Sequence, residues 1–335
     1  GKRVSIRPVG RMMALTIIDD RNEVDKNAMG GTELMGAGLA QHVPTNLLEK
    51  FNIIRSRVRN VSTEKPNILW LHDLPEDPES QHLKDEVARQ RFAKIVYVSN
   101  WQKERYQLFY GIKPSEGMVI KNAITPIEPE LIKKGEDGKL RLIYHPTPHR
   151  GLNILVPVFK ALAEEFPMLE LDVFSSFALY GWKERDEQFR ELIDECIAHP
   201  KINYHGSQPQ EVVRAALGRA DIFAYPCIWM ETSCICAMEA MSAKCVLLTP
   251  NFAALPETTA GFAIEYDWTE DLQVHVNLFY NELRSVIRQL LADRNRWNVH
   301  LDKQKDYADG HYGWESRSKQ WSGVLSQLVR QTSSL

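Results

Sequence analysis

The sequence predicts an α/β protein built on two parallel sheets in tandem. Three observations lead there. Apolar runs of strand length alternate with amphipathic stretches of helix length along most of the chain. The alternation is interrupted once, by a polar stretch rich in Pro and Gly at 125–139, and then restarts. The 335 residues suffice for two ordinary domains, each with a sizeable core.

In the first half the predicted strands are Met13–Ile18, Phe51–Arg57, Asn67–His72, Lys94–Ser99 and Met118–Ile124. Helices are expected near 32–43, 81–92 and 101–110. The interruption carries Thr-Pro-Ile-Glu-Pro and then Lys-Lys-Gly-Glu-Asp-Gly-Lys, which reads as a linker. In the second half the strands are Leu140–Tyr144, Leu169–Phe174, Ile202–Tyr204, Asp221–Tyr225, Cys245–Thr249 and Phe262–Tyr266. Helices are expected near 151–165, 184–198, 209–219, 233–243 and 275–292, with terminal helices at about 296–309 and 314–331. This divides the chain into 1–125, a linker at 126–139, a second unit at 140–305 and a closing segment at 306–335.

Charge and composition narrow the function. The net charge is −3, so nothing global demands nucleic acid. Residues 1–125 carry 19 Lys and Arg against 15 Asp and Glu, a balance of +4. The remainder carries 22 against 29, a balance of −7. The N-terminal half is therefore expected to meet the more anionic partner. No apolar run reaches bilayer-spanning length, and the N-terminus lacks a signal-peptide pattern. The five cysteines form no CxxC pair, so no metal site is expected, and their odd number fits a reducing, cytoplasmic setting.

The most informative segment is 225–257. Glu231 and Glu239 stand eight apart, separated by small residues that open a helix. One predicted strand leads in and another leads out. Unsatisfied amides near Ser233, Cys234 and Ile235 suit a phosphate. The segment thus offers an acid for a sugar, amides for a diphosphate and a second acid for a ribose. It resembles the donor site of the retaining nucleotide-sugar glycosyltransferases of family 4, whose signature is two glutamates separated by seven residues.

The resemblance covers nearly the whole chain and implies the GT-B arrangement: two Rossmann-like domains, a donor cleft between them, and a final helix crossing back to the first domain. It also implies several roles. Arg150-Gly151 matches the family's Lys-Gly pair, making Arg150 the diphosphate cation; His145 stands where the family has an arginine. For His145 and His149 a structural and a functional role remain equally open. Gly30-Gly31-Thr32-Glu33 matches a glycine loop beside donor and acceptor, although a tight turn with a Thr helix cap would read the same way. His72, at the end of a strand, matches a histidine that reaches the donor sugar, with Asp73 placed to orient it. Glu257 matches the loop that closes over the donor phosphates, where Phe252-Ala253-Ala254 replace the family's glycines, and Thr249, which ends the preceding strand, is a further donor-binding candidate.

The expected activity is retaining hexosyl transfer from a nucleotide diphosphate sugar, UDP-sugar favoured over GDP-sugar, without a metal or other cofactor. The acceptor is left open between glycan, lipid carrier and modified DNA. Arg55, Arg57 and Arg59 alternate along one strand face and could bind an anionic acceptor such as hydroxymethylated DNA, or simply be solvated. A different GT-B enzyme, such as an epimerase or phosphorolytic enzyme, and a non-catalytic sugar-nucleotide or DNA-binding module are the alternatives.

Overall fold

Two parallel sheets carry the chain. The computed structural model describes residues 30–180 and 183–332; the expected strand Met13–Ile18 lies outside them. The first sheet contains β1 (Asn52–Arg55), β2 (Asn67–Trp70), β3 (Phe92–Tyr97) and β4 (Gly117–Val119), in the order β1-β2-β3-β4. Strands buried on both faces need apolar residues throughout, and Ile68, Leu69 and Trp70 of β2 are all inaccessible. Around this sheet lie α1 (Gly31–His42), α2 (Thr45–Leu48), α3 (Glu86–Arg89) and α4 (Asn100–Tyr110).

The second sheet contains β5 (Leu140–Tyr144), β6 (Leu169–Val173), β7 (Ile202–Tyr204), β8 (Ile222–Ala224), β9 (Val246–Pro250) and β10 (Ile264–Tyr266), ordered β10-β9-β8-β5-β6-β7. The chain moves outward from β5 to β7, then returns to the other side of β5 with β8. The β5–β8 boundary is therefore a topological switch point, where open α/β sheets form a ligand crevice beyond their carboxyl ends. The helices of this half are α5 (Leu152–Glu165), α6 (Arg190–Ala198), α7 (Gln210–Arg219), α8 (Ile235–Ser242), α9 (Leu255–Thr259) and α10 (Leu272–Ala292).

Several expected elements are shorter than the pattern suggests. The strand expected over Phe51–Arg57 ends at Arg55, and Ser56 turns with φ +58°, so Arg57 and Arg59 lie in the following loop and not along a strand face. The helix near 81–92 is a 3-10 stretch, Pro78–Lys84, followed by α3. Asp77 and Asp85 each cap a separate turn, and Asp85 has extended backbone, so no continuous helix can form. The first half of the 184–198 helix is likewise a 3-10 stretch, Lys183–Phe189. The strand expected over Met118–Ile124 pairs with β3 only at Gly117–Val119.

The chain ends with α11 (Asn298–Tyr312) and α12 (Trp314–Thr332). Between them the chain crosses back to the first sheet. Ile124 N–H donates to Tyr312 O at 2.8 Å and Trp314 N–H to Ile124 O at 3.3 Å, so the outgoing and returning strands run side by side. Trp314, Trp321, Leu325 and Leu328 of α12 then join Met35, Leu39, Trp70 and Val96 in one buried cluster. The Trp321 ring meets Trp70 edge-on at 4.9 Å, and Trp314 stacks on His42 at 5.1 Å.

Gly38 makes the close seat of Trp314 on α1 possible, because a Cβ there would overlap the Trp314 ring. An exposed helical Gly→Ala change usually gains about 1 kcal/mol. Here the steric term should win, since the buried indole has little freedom to move. Gly38→Ala is expected to destabilise the protein by about 1–3 kcal/mol. An unchanged or raised melting temperature would show that α12 is seated differently.

Candidate active site

Backbone packing brings distant charges together at the switch point. After β5 the chain forms a short turn, Pro148–Arg150, and enters α5 through Gly151. Gly151 has φ +144°, and a Cβ on it would overlap Pro226 O. Ile228 N–H donates to Arg150 O at 3.0 Å, tying this turn to the loop after β8. The result is a half-buried contact between residues 81 apart in sequence: Arg150 Nη1 donates to both Glu231 carboxylate oxygens at 2.8 Å. Tyr225 Oη donates to Glu231 Oε1, and Ala254 N–H to Glu231 O at 3.1 Å. Glu231 is 4% exposed, so its charge depends on these partners.

Beyond Glu231 the chain turns through Ser233 and Cys234 into α8. Cys234 holds φ +72°, a left-handed conformation that costs a non-glycine residue about 1–2 kcal/mol. Ser233 O accepts from Thr258 Oγ1, which pins the turn to α9. Glu239 lies one turn further along α8, with Oε1 3.6 Å from His145 Nε2. Burial opposes a charge on His145, but neighbouring Cys236 and Glu239 outweigh it and raise the ring to about 10.

These residues line a cleft of about 1320 Å³ between the two sheets. Its walls include Gly31, Thr32, Glu33, Arg55, Arg57, Arg59 and His72 from the first half, and His145, Arg150, Glu231, Ser233, Cys234, Ile235 and Glu239 from the second. The halves touch where Thr232 Oγ1 donates to His72 O at 2.9 Å, and a Cβ on Gly31 would lie 3.2 Å from Ile235 Cδ1. His72 packs against Trp70 at 4.7 Å, and burial together with Arg55 holds it near 3, so the ring is neutral at physiological pH. No bond joins the Asp73 and His72 side chains among the described residues; burial, and then Asp77, raise Asp73 to about 6.

Three candidates fall outside the cleft. Gly30 caps α1 behind Gly31, and Thr249 is fully buried in β9. Glu257 faces the other half instead. It accepts from the backbone of Asn100 at 2.8 Å and Trp101 at 3.0 Å and pairs with Lys121 at 3.3 Å, capping α4. Conversely, an aromatic wall was missed. His149 stacks on Phe177 at 5.2 Å and meets Trp229 edge-on at 4.7 Å. Burial and then Arg150 keep its ring neutral. Trp229, two residues before Glu231, was the available signal; Phe177 and Gln208 reach the cleft only through folding.

Residues 125–266 match the family model for glycosyl transferases group 1. A glycosyltransferase from Rickettsia africae superimposes with a TM-score of 0.64 at 13% identity, over 93% of this chain and 84% of that one. Anabaena HepE, solved with UDP-glucose, gives 0.59 at 16% identity over 81% and 73%. The UDP-forming α,α-trehalose-phosphate synthase from Burkholderia vietnamiensis gives 0.60 at 10% identity over 79% and 67%. The fold is GT-B. No match is found among the curated proteins. No described helix is long and apolar enough to cross a membrane.

Two outcomes follow from the electrostatics of this GT-B cleft. Among the described residues Arg150→Met leaves the buried Glu231 carboxylate with Tyr225 as its remaining side-chain partner, and it should destabilise by about 3 kcal/mol, while adding Glu231→Gln should restore much of the loss. Additive losses in a urea-denaturation cycle would show that the pair is not coupled. The second outcome concerns His72, whose folded value lies below the unfolded 6.5. Its neutral ring contributes stability that is full above about pH 6.5 and is lost as pH falls towards 3. His72→Gln should therefore lose less melting temperature between pH 7 and pH 5 than wild type. Equal losses would remove His72 from the acid response.

Proposed function

We propose that the chain is a retaining, metal-independent hexosyltransferase that moves a sugar from a UDP-sugar to an acceptor held against the first domain. The observation that carries this reading is the Arg150–Glu231 pair at the switch point, with Glu239 on the same wall of the cleft. The group 1 family match covers those residues. HepE, which shares the fold, was solved with UDP-glucose, which favours uridine as the donor base.

In this reading Glu239 holds the ribose hydroxyls. Arg150 and the amides at the start of α8 stabilise the leaving diphosphate as its charge develops. Arg150 then shares its guanidinium between Glu231 and the diphosphate. Glu231 binds sugar hydroxyls and opposes the positive charge that grows at the anomeric carbon. His72, neutral, donates or accepts at the sugar across the cleft. The departing diphosphate helps deprotonate the acceptor, so no separate general base is required, and positioning supplies the rest of the barrier reduction.

One observation favours an anionic acceptor such as hydroxymethylated DNA. Arg55, Arg57 and Arg59 all line the cleft, and among the described residues only Arg59 of the three forms an ion pair, with Glu79. A nucleic-acid acceptor would bind with a steep salt dependence, whereas a neutral glycan would not.

Calorimetry with UDP-glucose in the presence of chelator tests the donor. Wild type should bind, and Glu239→Ala should weaken binding by about 1.5–3 kcal/mol, the cost of losing a hydrogen bond to a charged group. Glu231→Ala should lower turnover more than affinity. Unchanged affinity in Glu239→Ala would sink the ribose assignment. Transfer assays on hydroxymethylated duplex and on glycans, at two salt concentrations, decide the acceptor.

A further inference from the structure

At the back of the cleft, three side chains of different chemistry converge. His145 follows β5, while Cys236 and Glu239 stand three apart on α8 and so share one face. A nitrogen of His145, the sulfur of Cys236 and a carboxylate oxygen of Glu239 all lie within 4.8 Å of one another. His145 Nε2 and Glu239 Oε1 are 3.6 Å apart. Four-coordinate zinc, with bonds of about 2.0–2.3 Å, holds its ligands roughly 3.3–3.8 Å apart. One ligand pair already has that spacing, and the sulfur lies within 4.8 Å of both partners.

His145 asks for a ligand. The residue is 9% exposed, and among the described residues neither ring nitrogen has a hydrogen-bond partner, Nε2 meeting Glu239 only at ion-pair distance, 3.6 Å. A buried polar atom left this way is costly unless something binds it. A nucleotide sugar could use His145 and Glu239, but it has no use for a thiol. The sulfur is what selects a metal: thiolate with imidazole and carboxylate suits zinc and excludes magnesium and calcium. Two anionic ligands balance the charge of a divalent ion. All three residues line the cleft, so a fourth coordination position opens toward it.

We propose that His145, Cys236 and Glu239 form a binding site for a thiophilic divalent ion, with zinc the best fit, and that this ion competes with the nucleotide sugar. The competition rests on the donor reading above, because Glu239 would serve both ligands. The site itself does not. Zinc would act as an inhibitor that closes the donor cleft.

Cobalt titration of the reduced chain, without nucleotide, tests the site. Cobalt should produce a sulfur-to-metal charge-transfer band. Cys236→Ser, nearly isosteric, should lose that band while melting like wild type. His145→Gln and Glu239→Gln should each keep the band but weaken cobalt binding by more than about tenfold, the loss that even outer-shell changes produce. No band in wild type, a band that survives in Cys236→Ser, or unchanged affinity in both other variants would overturn the site. For the competition, zinc should weaken UDP-glucose binding in wild type and not in Cys236→Ser. An equal effect in both would show zinc acting on the nucleotide in solution and would overturn the competition. If UDP-glucose fails to bind even in chelator, the donor reading falls, and the cobalt band still decides the metal site.

Discussion

The geometry of the cleft depends on the chain crossing back between its two sheets. The first sheet has four described strands and few helices of its own. The buried indoles of Trp314 and Trp321 supply apolar surface that this domain otherwise lacks. The crossing also fixes the donor side. Lys305 of α11, nearly buried, donates to Ile127 O at 2.7 Å and to Ser242 O at 3.0 Å and pairs with Asp309 at 2.9 Å. Ser242 ends α8 and accepts from Ile127 N–H at 2.8 Å. The linker, the helix carrying Glu239 and the returning helix thus share one buried polar network, in which every lost partner would leave a costly orphan.

The second domain then places charge where a sheet cannot solvate it. Glu231 is almost inaccessible, and its carboxylate is tolerated because Arg150 and Tyr225 reach it. Such a pair is costly to break and adds little net stability, so its value lies in holding two side chains in one orientation. The strained turn at Cys234 serves the same end, since it aims the start of α8 at the cleft. Across the gap, Thr232 with His72, and Glu257 with the start of α4, set the spacing of the halves. Glu257 illustrates how a candidate for the ligand becomes a strut: its carboxylate finds bare amides of the opposite domain within reach.

Much of this was legible along the chain. Fully buried parallel strands are nearly continuous apolar runs, so β2, β8 and β9 announce themselves, while β3, β5 and β6 each carry a charged residue (Lys94, Arg141, Glu170) at a partly exposed position. The helices that failed, near 81–92 and at the start of 184–198, are amphipathic enough but are interrupted by capping aspartates or wound as 3-10 turns. Local capping chemistry overrides periodicity there. The candidates Glu231, Glu239, Arg150, His145 and His72 do meet around one cleft. Thr249 could not be placed from sequence, because a strand residue's facing depends on register and on what covers the sheet.

By itself the sequence determined most of the secondary elements, the parallel sheets and the segments that carry charge, because burial pattern and turn chemistry are largely local properties. Only the tertiary structure decided which charges meet. The Arg150–Glu231 contact needs Gly151 to pack on Pro226, and the His145–Cys236–Glu239 cluster needs β5 to lie beside β8. The aromatic wall of His149, Phe177 and Trp229 likewise assembles from three separate loops. Distances across a switch point are set by strand order and helix packing, and no run of neighbouring residues encodes them.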